Sequence, residues 1–188
     1  MDKNMNLILA SKSPRREQIL KEMGFEFKII PSTFDECLSS DKFSYAVIEN
    51  LAVSKAKSVL EMNNGDIFVL GADTVVVCDE KILGKPKDKL DAIRMLKMLS
   101  GKTHFVVTSV ALVSKEFCQV ESETTYVTFN SLTNEQIEFY IDNYFPYDKA
   151  GSYGIQELPE GFVKSLDGER DNVIGLPSKL VYRLLKLF

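Results

Sequence analysis

Ser11-Lys12-Ser13-Pro14-Arg15-Arg16 stands between an apolar run, Leu7-Ile8-Leu9-Ala10, and a stretch from Glu17 to Met23 in which Ile19, Leu20 and Met23 recur at helical spacing. The apolar run predicts a buried strand. Ser13 stands where an N-cap belongs, Pro14 occupies the first helical position, and Gly24 is a natural stop. A strand, a small-residue turn and a helix in that order open an α/β fold. Arg15 and Arg16 fit poorly on local grounds: a helix N-terminus carries partial positive charge, and a cation there costs about 0.3–1 kcal/mol. Orphan backbone N–H groups beside two guanidiniums instead make a site for a polyanion, most simply a chain of phosphates. The plainer alternative is that the arginines are solvated or paired with Glu17 and Glu22; beside a cap, a proline and a preceding strand, the anion site is the favoured reading.

Outward from this turn the chain alternates strands and helices. Phe25–Ile30 alternates as a strand, Pro31–Lys42 is a polar loop carrying Asp35 and Glu36, and Ser44–Met62 is helical, with Ile48, Leu51, Ala52, Ala56, Val59 and Leu60 on one stripe. Lys55 lies near that stripe, where spacing alone reads it as a lysine snorkelling to the edge. Ile67–Leu70 and Val75–Val77 are strand-like runs interrupted by Gly71-Ala72-Asp73-Thr74. A carboxylate amid such apolar sequence is costly unless paired or holding a metal, which marks Asp73 as functional over a local role at a bulge set by Gly71. Lys81–Leu83 returns after a turn, and Gly84-Lys85-Pro86 leaves that return near Asp73; the spacing is not a Walker sequence.

Asp88 caps a helix running to Leu99, and Thr133-Asn134-Glu135-Gln136 is a capping box for another. Between them His104–Val113 and Val120–Phe129 read as long paired strands. Pro146 to Gln156 is a polar loop rich in glycine and aromatics, suited to close approach of a ligand. Phe162–Leu166 and Asn172–Ile174 read as short strands, and Ser178–Phe188 as a final helix. No repeat or linker divides residues 1–188, so the expectation is one α/β domain with two lobes around a cleft.

Composition narrows the function. A net charge of −4 leaves no basic excess for nucleic acid in general. The apolar runs are far too short to span a membrane, and the first residues lead straight into a strand rather than a signal sequence. Cys37, Cys78 and Cys118 form neither a metal motif nor a disulfide framework, so a reducing, cytoplasmic location is expected. His104 is the single histidine and reads as structural. A divalent cation would therefore be held by carboxylates, which favours Mg or Mn, and a general base would be Asp or Glu.

Taken together, Leu9–Arg16, Lys55, Gly71–Thr74, Gly84–Asp88, Leu99–Gly101, Asp148–Gln156, Phe162-Val163 and Gly175–Pro177 resemble, in order and over nearly the whole chain, the Maf family of nucleotide pyrophosphatases. The resemblance implies an elongated mixed sheet flanked by helices, similar to inosine triphosphate pyrophosphatases. It implies hydrolysis of a nucleoside triphosphate between the α and β phosphates, a divalent metal and often a homodimer. By position it implies Asp73 as proton acceptor, Asp73 and Glu36 (or Asp35, one residue earlier) at the metal, and Lys55 and Lys85 in catalysis. It places Ser11, Arg15, Arg16, Thr74, Gln156 and Asp148 or Lys149 in substrate binding, with Arg15, Thr74 and Gln156 linked to substrate choice. Gly151-Ser152-Tyr153-Gly154-Ile155-Gln156 resembles the branch acting on dTTP and UTP, with Ser152 in place of the usual Ala and Glu157 where Gly is common. A house-cleaning role on modified pyrimidine nucleotides fits the same site. The competing readings are a non-enzymatic nucleotide-binding regulator of cell division and a purine (ITP-type) pyrophosphatase. A pure phosphate binder has no need of the acids Glu36 and Asp73.

Overall fold

The computed structural model describes residues 6–34 and 43–188. In chain order the elements are β1 (Leu7–Leu9), α1 (Pro14–Glu22), β2 (Lys28–Ile29), α2 (Tyr45–Glu61), β3 (Phe68–Cys78), β4 (Lys81–Leu83), α3 (Lys89–Leu99), β5 (Thr103–Val113), β6 (Cys118–Phe129), α4 (Asn134–Tyr144), β7 (Val163–Asp167), α5 (Arg170–Ile174) and α6 (Ser178–Leu185). They build one seven-stranded sheet in the order β2-β1-β3-β5-β6-β7, with β4 also paired to β3. β1 runs parallel to β2 and β3, and every other pairing is antiparallel. This is the mixed sheet with flanking helices that the family resemblance implies. No helix among the described residues is long and apolar enough to cross a membrane.

β3 organises the sheet. One of its edges pairs with β5 without a break from Val69 to Val77. Its other edge is shared: β1 takes Phe68–Leu70 and β4 takes Val76–Cys78. Between them, residues 71–75 have no strand partner on that edge among the described residues. The sheet splits there, and the split opens the cleft.

The faces of β3 divide in the same way. Val69, Val75 and Val77 pack under α2, against Ile48, Ala52, Ala56 and Val59. On the opposite face Leu70 and Ala72 join Leu20 of α1 and Leu180 and Leu184 of α6. Val76 and Cys78 join Leu96 of α3 and Ile137 and Tyr140 of α4. Thr74 falls between these two clusters, its hydroxyl 2.9 Å from that of Thr108, its cross-strand partner on β5. A polar seam thus separates two apolar lobes on a continuous sheet, because hydroxyls on neighbouring strands satisfy each other where a methyl would have merged the cores.

Three expectations change. Residues 71–74 do not interrupt the strand, since β3 is one strand of 11 residues in unbroken register with β5. Gly71 marks no bulge but a close approach: a Cβ there would lie 2.4 Å from the Ala52 carbonyl oxygen and 2.9 Å from the Ala56 amide nitrogen. Asn172–Ile174 is the end of a short helix, not a strand. Its three residues show no period, and tertiary bonds decide: the Asn172 side-chain amide donates to the Val106 carbonyl and the Thr125 hydroxyl, and the Asn172 backbone carbonyl accepts from the Thr108 hydroxyl.

Start signals behave as read. Ser13 caps α1, Asp88 accepts from the Asp91 amide at 2.8 Å, and Thr133 and Gln136 form the reciprocal capping box. Gly71→Ala should force α2 away from β3 and lower the unfolding free energy by about 1–3 kcal/mol or more. Urea denaturation with an unchanged midpoint would contradict the close approach.

Candidate active site

At the split the chain forms a cleft of about 730 Å³, within the ordinary range of small-molecule sites. Its lining includes the cationic side chains of Lys12, Arg15, Arg16, Lys55, Lys85 and Lys149, against the carboxylates of Asp73 and Asp148. In a chain of net charge −4 this concentration of positive charge is local, as a site for a polyanion requires.

The turn between β1 and α1 forms one wall. Ser11 is buried, and its hydroxyl accepts from the Ser13 amide at 3.1 Å, which folds the turn tightly. The two arginines separate. Arg16 turns inward: Nε donates to the Gly175 carbonyl at 2.8 Å, Nη1 to the Ala72 carbonyl at 2.8 Å and Nη2 to the Thr74 hydroxyl at 3.0 Å. Ala72 lies on the split edge, so Arg16 supplies the bond that a strand partner would have made. Arg15 instead reaches across the cleft to Asp148, with Nη1 2.7 Å from Oδ2.

The floor is a buried ion pair. Lys55 of α2 and Asp73 of β3 are 6% and 6% exposed and joined through Lys55 Nζ and Asp73 Oδ1. The lysine that spacing alone reads as snorkelling is drawn inward because Gly71 lets α2 settle onto the strand. Two buried opposite charges compensate each other, whereas either alone would carry a large desolvation penalty. Lys85, just past β4, is exposed and lines the rim. Glu36 and Asp35 lie outside the described residues.

The far wall is the loop from Asp148 to Gln156, held from behind. The Gly151 amide donates to the Gly84 carbonyl at 3.0 Å, and the Gly154 amide to the buried Tyr140 hydroxyl at 3.0 Å. His104 Nε2 is 2.7 Å from the Tyr153 hydroxyl. Gly151 and Ser152 both adopt left-handed backbone, with φ of 67° and 62°. Gly154 leaves room for its neighbours, since a Cβ there would lie 2.9 Å from Lys149 Cε and 3.1 Å from Gln156 Nε2. Lys149 is buried and meets Asp148 Oδ1 at 2.8 Å and Glu157 Oε2 at 3.2 Å, so the departure at Glu157 supplies a countercharge. Gln156 is exposed at the mouth, its amide 3.5 Å from Glu157 Oε1.

Local environment shifts several protons. Burial acts to raise the Asp148 carboxyl, but hydrogen bonds from Lys149 and Arg15 outweigh it and hold the group down at about 2. Burial pushes the Tyr140 hydroxyl up to about 12, opposed by the bond from the Gly154 amide. Burial alone pushes His104 down to about 4. In sequence His104 reads as structural and Tyr153 as part of the loop; the support that His104 and Tyr140 give to the loop is not legible there, because these bonds bridge segments far apart in the chain.

The structure brings Ser11, Arg15, Arg16, Lys55, Asp73, Thr74, Lys85, Asp148, Lys149 and Gln156 around this one cleft. The fold is shared with solved structures. A HAM1 protein from Coxiella burnetii superposes with a TM-score of 0.56 at 15% identity, covering 98% of this chain and all of that one (100%). A dITP/XTP pyrophosphatase from Mycobacterium abscessus superposes at 0.51 with 16% identity and 98% coverage of both chains. These likenesses define the fold class, an α/β fold of the HAM1 type. Within it, a family model described as Maf-like protein matches residues 6–188, and the chain belongs to that family. A Thermosipho africanus relative, 48% identical over 96% of this chain and 92% of its own length, bears the name dTTP/UTP pyrophosphatase. So does a Bacillus anthracis relative, 45% identical over 97% of this chain and 95% of its own.

Because His104 is the only histidine, its ring proton signals titrate alone by NMR. The expected midpoint is about 4, set by burial. A midpoint near the ordinary value of about 6.5 would contradict a neutral buried ring. Since the folded value lies below the unfolded one, the unfolded chain binds more protons in this window. The histidine's contribution to stability is therefore present above about pH 6.5 and is lost as pH falls toward 4.

Proposed function

We propose that this chain hydrolyses dTTP and UTP, and modified pyrimidine triphosphates of the same shape, to the nucleoside monophosphate and pyrophosphate. The observation that carries this reading is the buried Lys55–Asp73 pair at the floor of a cleft whose walls are cationic. The names of the relatives and the Gln156 loop support the choice of pyrimidine.

In this reading the turn amides, Ser11 and Arg15 take the phosphate chain, with Lys85 and Lys149 at the rim and far wall. Arg16 positions the turn and adds its charge. Asp73 takes a proton from water as the water oxygen bonds to the α phosphorus. The α–β bridging P–O bond breaks, and pyrophosphate leaves with the electron pair. Lys55 and Lys85 offset the charge that builds on the leaving group. Gln156 presents an amide, both donor and acceptor, to a uracil or thymine edge.

No three His, Cys, Asp or Glu side chains converge into a metal cage among the described residues. Asp73 nonetheless suits a hard cation such as Mg or Mn, which is commonly held by one or two carboxylates together with substrate phosphate oxygens. Glu36 is assigned as the second carboxylate on the family resemblance. Such a cation would neutralise phosphate charge and polarise the α phosphorus.

A nucleotide panel with Mg, read out as released pyrophosphate, tests the assignment: dTTP and UTP should be cleaved fastest. Release from ITP alone would favour the purine reading, and release from none would favour a binding protein. Asp73→Asn should lower kcat by about 10²–10⁴-fold while triphosphate binding persists. It should also lower thermal stability, because the Lys55 ammonium loses its carboxylate; full activity would remove Asp73 from the mechanism. Gln156→Ala should lower kcat/KM for UTP by about 10-fold or more relative to GTP, the loss expected for an unpaired base edge. An unchanged ratio would contradict its contact with the base.

A further inference from the structure

Asp148 stands out because it puts negative charge where the substrate's charge should go. Its Oδ2 is 2.7 Å from Arg15 Nη1, its backbone oxygen 3.5 Å from Arg15 Nη2, and its Oδ1 2.8 Å from Lys149 Nζ. One residue therefore occupies the fork of Arg15 through two acceptors and draws on Lys149 as well. Carboxylate and phosphate oxygens seek the same guanidinium fork, so the two cannot use it together.

The exposures indicate which partner gives way. The Lys149 and Arg15 side chains are 8% and 23% exposed, while that of Asp148 is 59% exposed. Arg15 belongs to the first turn of α1. Asp148 ends a short 3-10 turn that follows Phe145, itself in left-handed backbone with φ of 47°. Lys149 keeps Glu157 as a countercharge when Asp148 leaves. Ion pairs whose carboxylate stands open to solvent are weak, and a phosphate chain carrying several charges displaces them.

We propose that Asp148 is an internal anion that competes for Arg15, and that the phosphate chain must displace it to bind. The contact lowers affinity for every anion that uses Arg15 by a common factor. A triphosphate with many contacts absorbs that factor, and the smaller product anions are returned to solvent as the carboxylate reclaims the guanidinium. The proposal rests on the cleft being a triphosphate site. It makes Asp148 an opponent of binding, where position alone would count it among the residues that bind.

Calorimetric titration with inorganic tripolyphosphate at fixed ionic strength separates the two ideas. Asp148→Asn keeps the shape of the side chain and removes its charge. It should bind the probe about two- to fivefold more tightly than the wild type, as expected for removal of a weak competing contact. The gain should disappear when Arg15→Met is present in both proteins compared. Pyrophosphate should likewise become a stronger product inhibitor of Asp148→Asn. Equal or weaker binding by Asp148→Asn, with its thermal unfolding unchanged, overturns the proposal, as does the same gain in the Arg15→Met background. If Asp148→Asn does not fold, pyrophosphate inhibition of Asp148→Ser replaces it, with the same direction expected and the same result overturning it. A wild-type protein that binds no tripolyphosphate would remove the triphosphate reading itself, and this proposal with it.

Discussion

The contact on which this molecule turns is the pair between Lys55 and Asp73, two opposite charges buried where a helix lies directly on the central strand. An ion pair in such a place adds little to stability in itself, because desolvation consumes most of the Coulombic gain. What it requires of its surroundings is considerable. Gly71 must lack a side chain so that the Ala52–Ala56 turn of α2 can approach. β3 must run unbroken past Asp73 while residues 71–75 of its other edge have no strand partner among the described residues. Each condition weakens a purely structural element, and together they deliver a carboxylate and an ammonium to the floor of an open cleft. Sites of chemistry are where such local costs are expected.

The split edge raises a second difficulty, which Arg16 answers. A strand edge with unpaired carbonyls is unstable if buried. The Arg16 guanidinium spans the gap, bonding the Ala72 carbonyl on β3, the Gly175 carbonyl ahead of α6 and the Thr74 hydroxyl on the seam. Consecutive arginines thus divide their work: one ties α1 to the place where the sheet opens, while the other reaches over the opening. The planar fork of arginine matters here, since a lysine could not meet three acceptors set in different directions.

The far wall shows how a loop of small residues becomes a defined surface. Glycine at 151 and 154 allows close approach to Val76 and to Lys149, and the amides of both are bound, to the Gly84 carbonyl and the Tyr140 hydroxyl. The His104–Tyr153 contact fixes the loop to β5 from the core side. Such bonding limits motion of the surface that would read a nucleobase, and a site positioned on a rigid scaffold loses less entropy on binding.

Several features were already legible in the chain. Ser13, Pro14 and Gly24 set the first helix, Asp88 and the Thr133–Gln136 box set two others, and Asp73 announced itself as an acid in apolar surroundings. These are local effects, governed by backbone preferences and periodicity within a few residues, and a sequence displays them directly. Lys55 could not be read this way, because helical spacing places it beside the buried stripe without saying whether it turns toward water or toward a carboxylate on another element. Asn172 was misread for the same reason, its helix being chosen by bonds to β5 and β6. The separate fates of Arg15 and Arg16, and the contact of Arg15 with a residue 133 positions away, were decided only by the tertiary structure. Two adjacent guanidiniums have the same local chemistry, and only the neighbours that folding brings to each can tie one to the split edge of β3 and send the other across the cleft to Asp148.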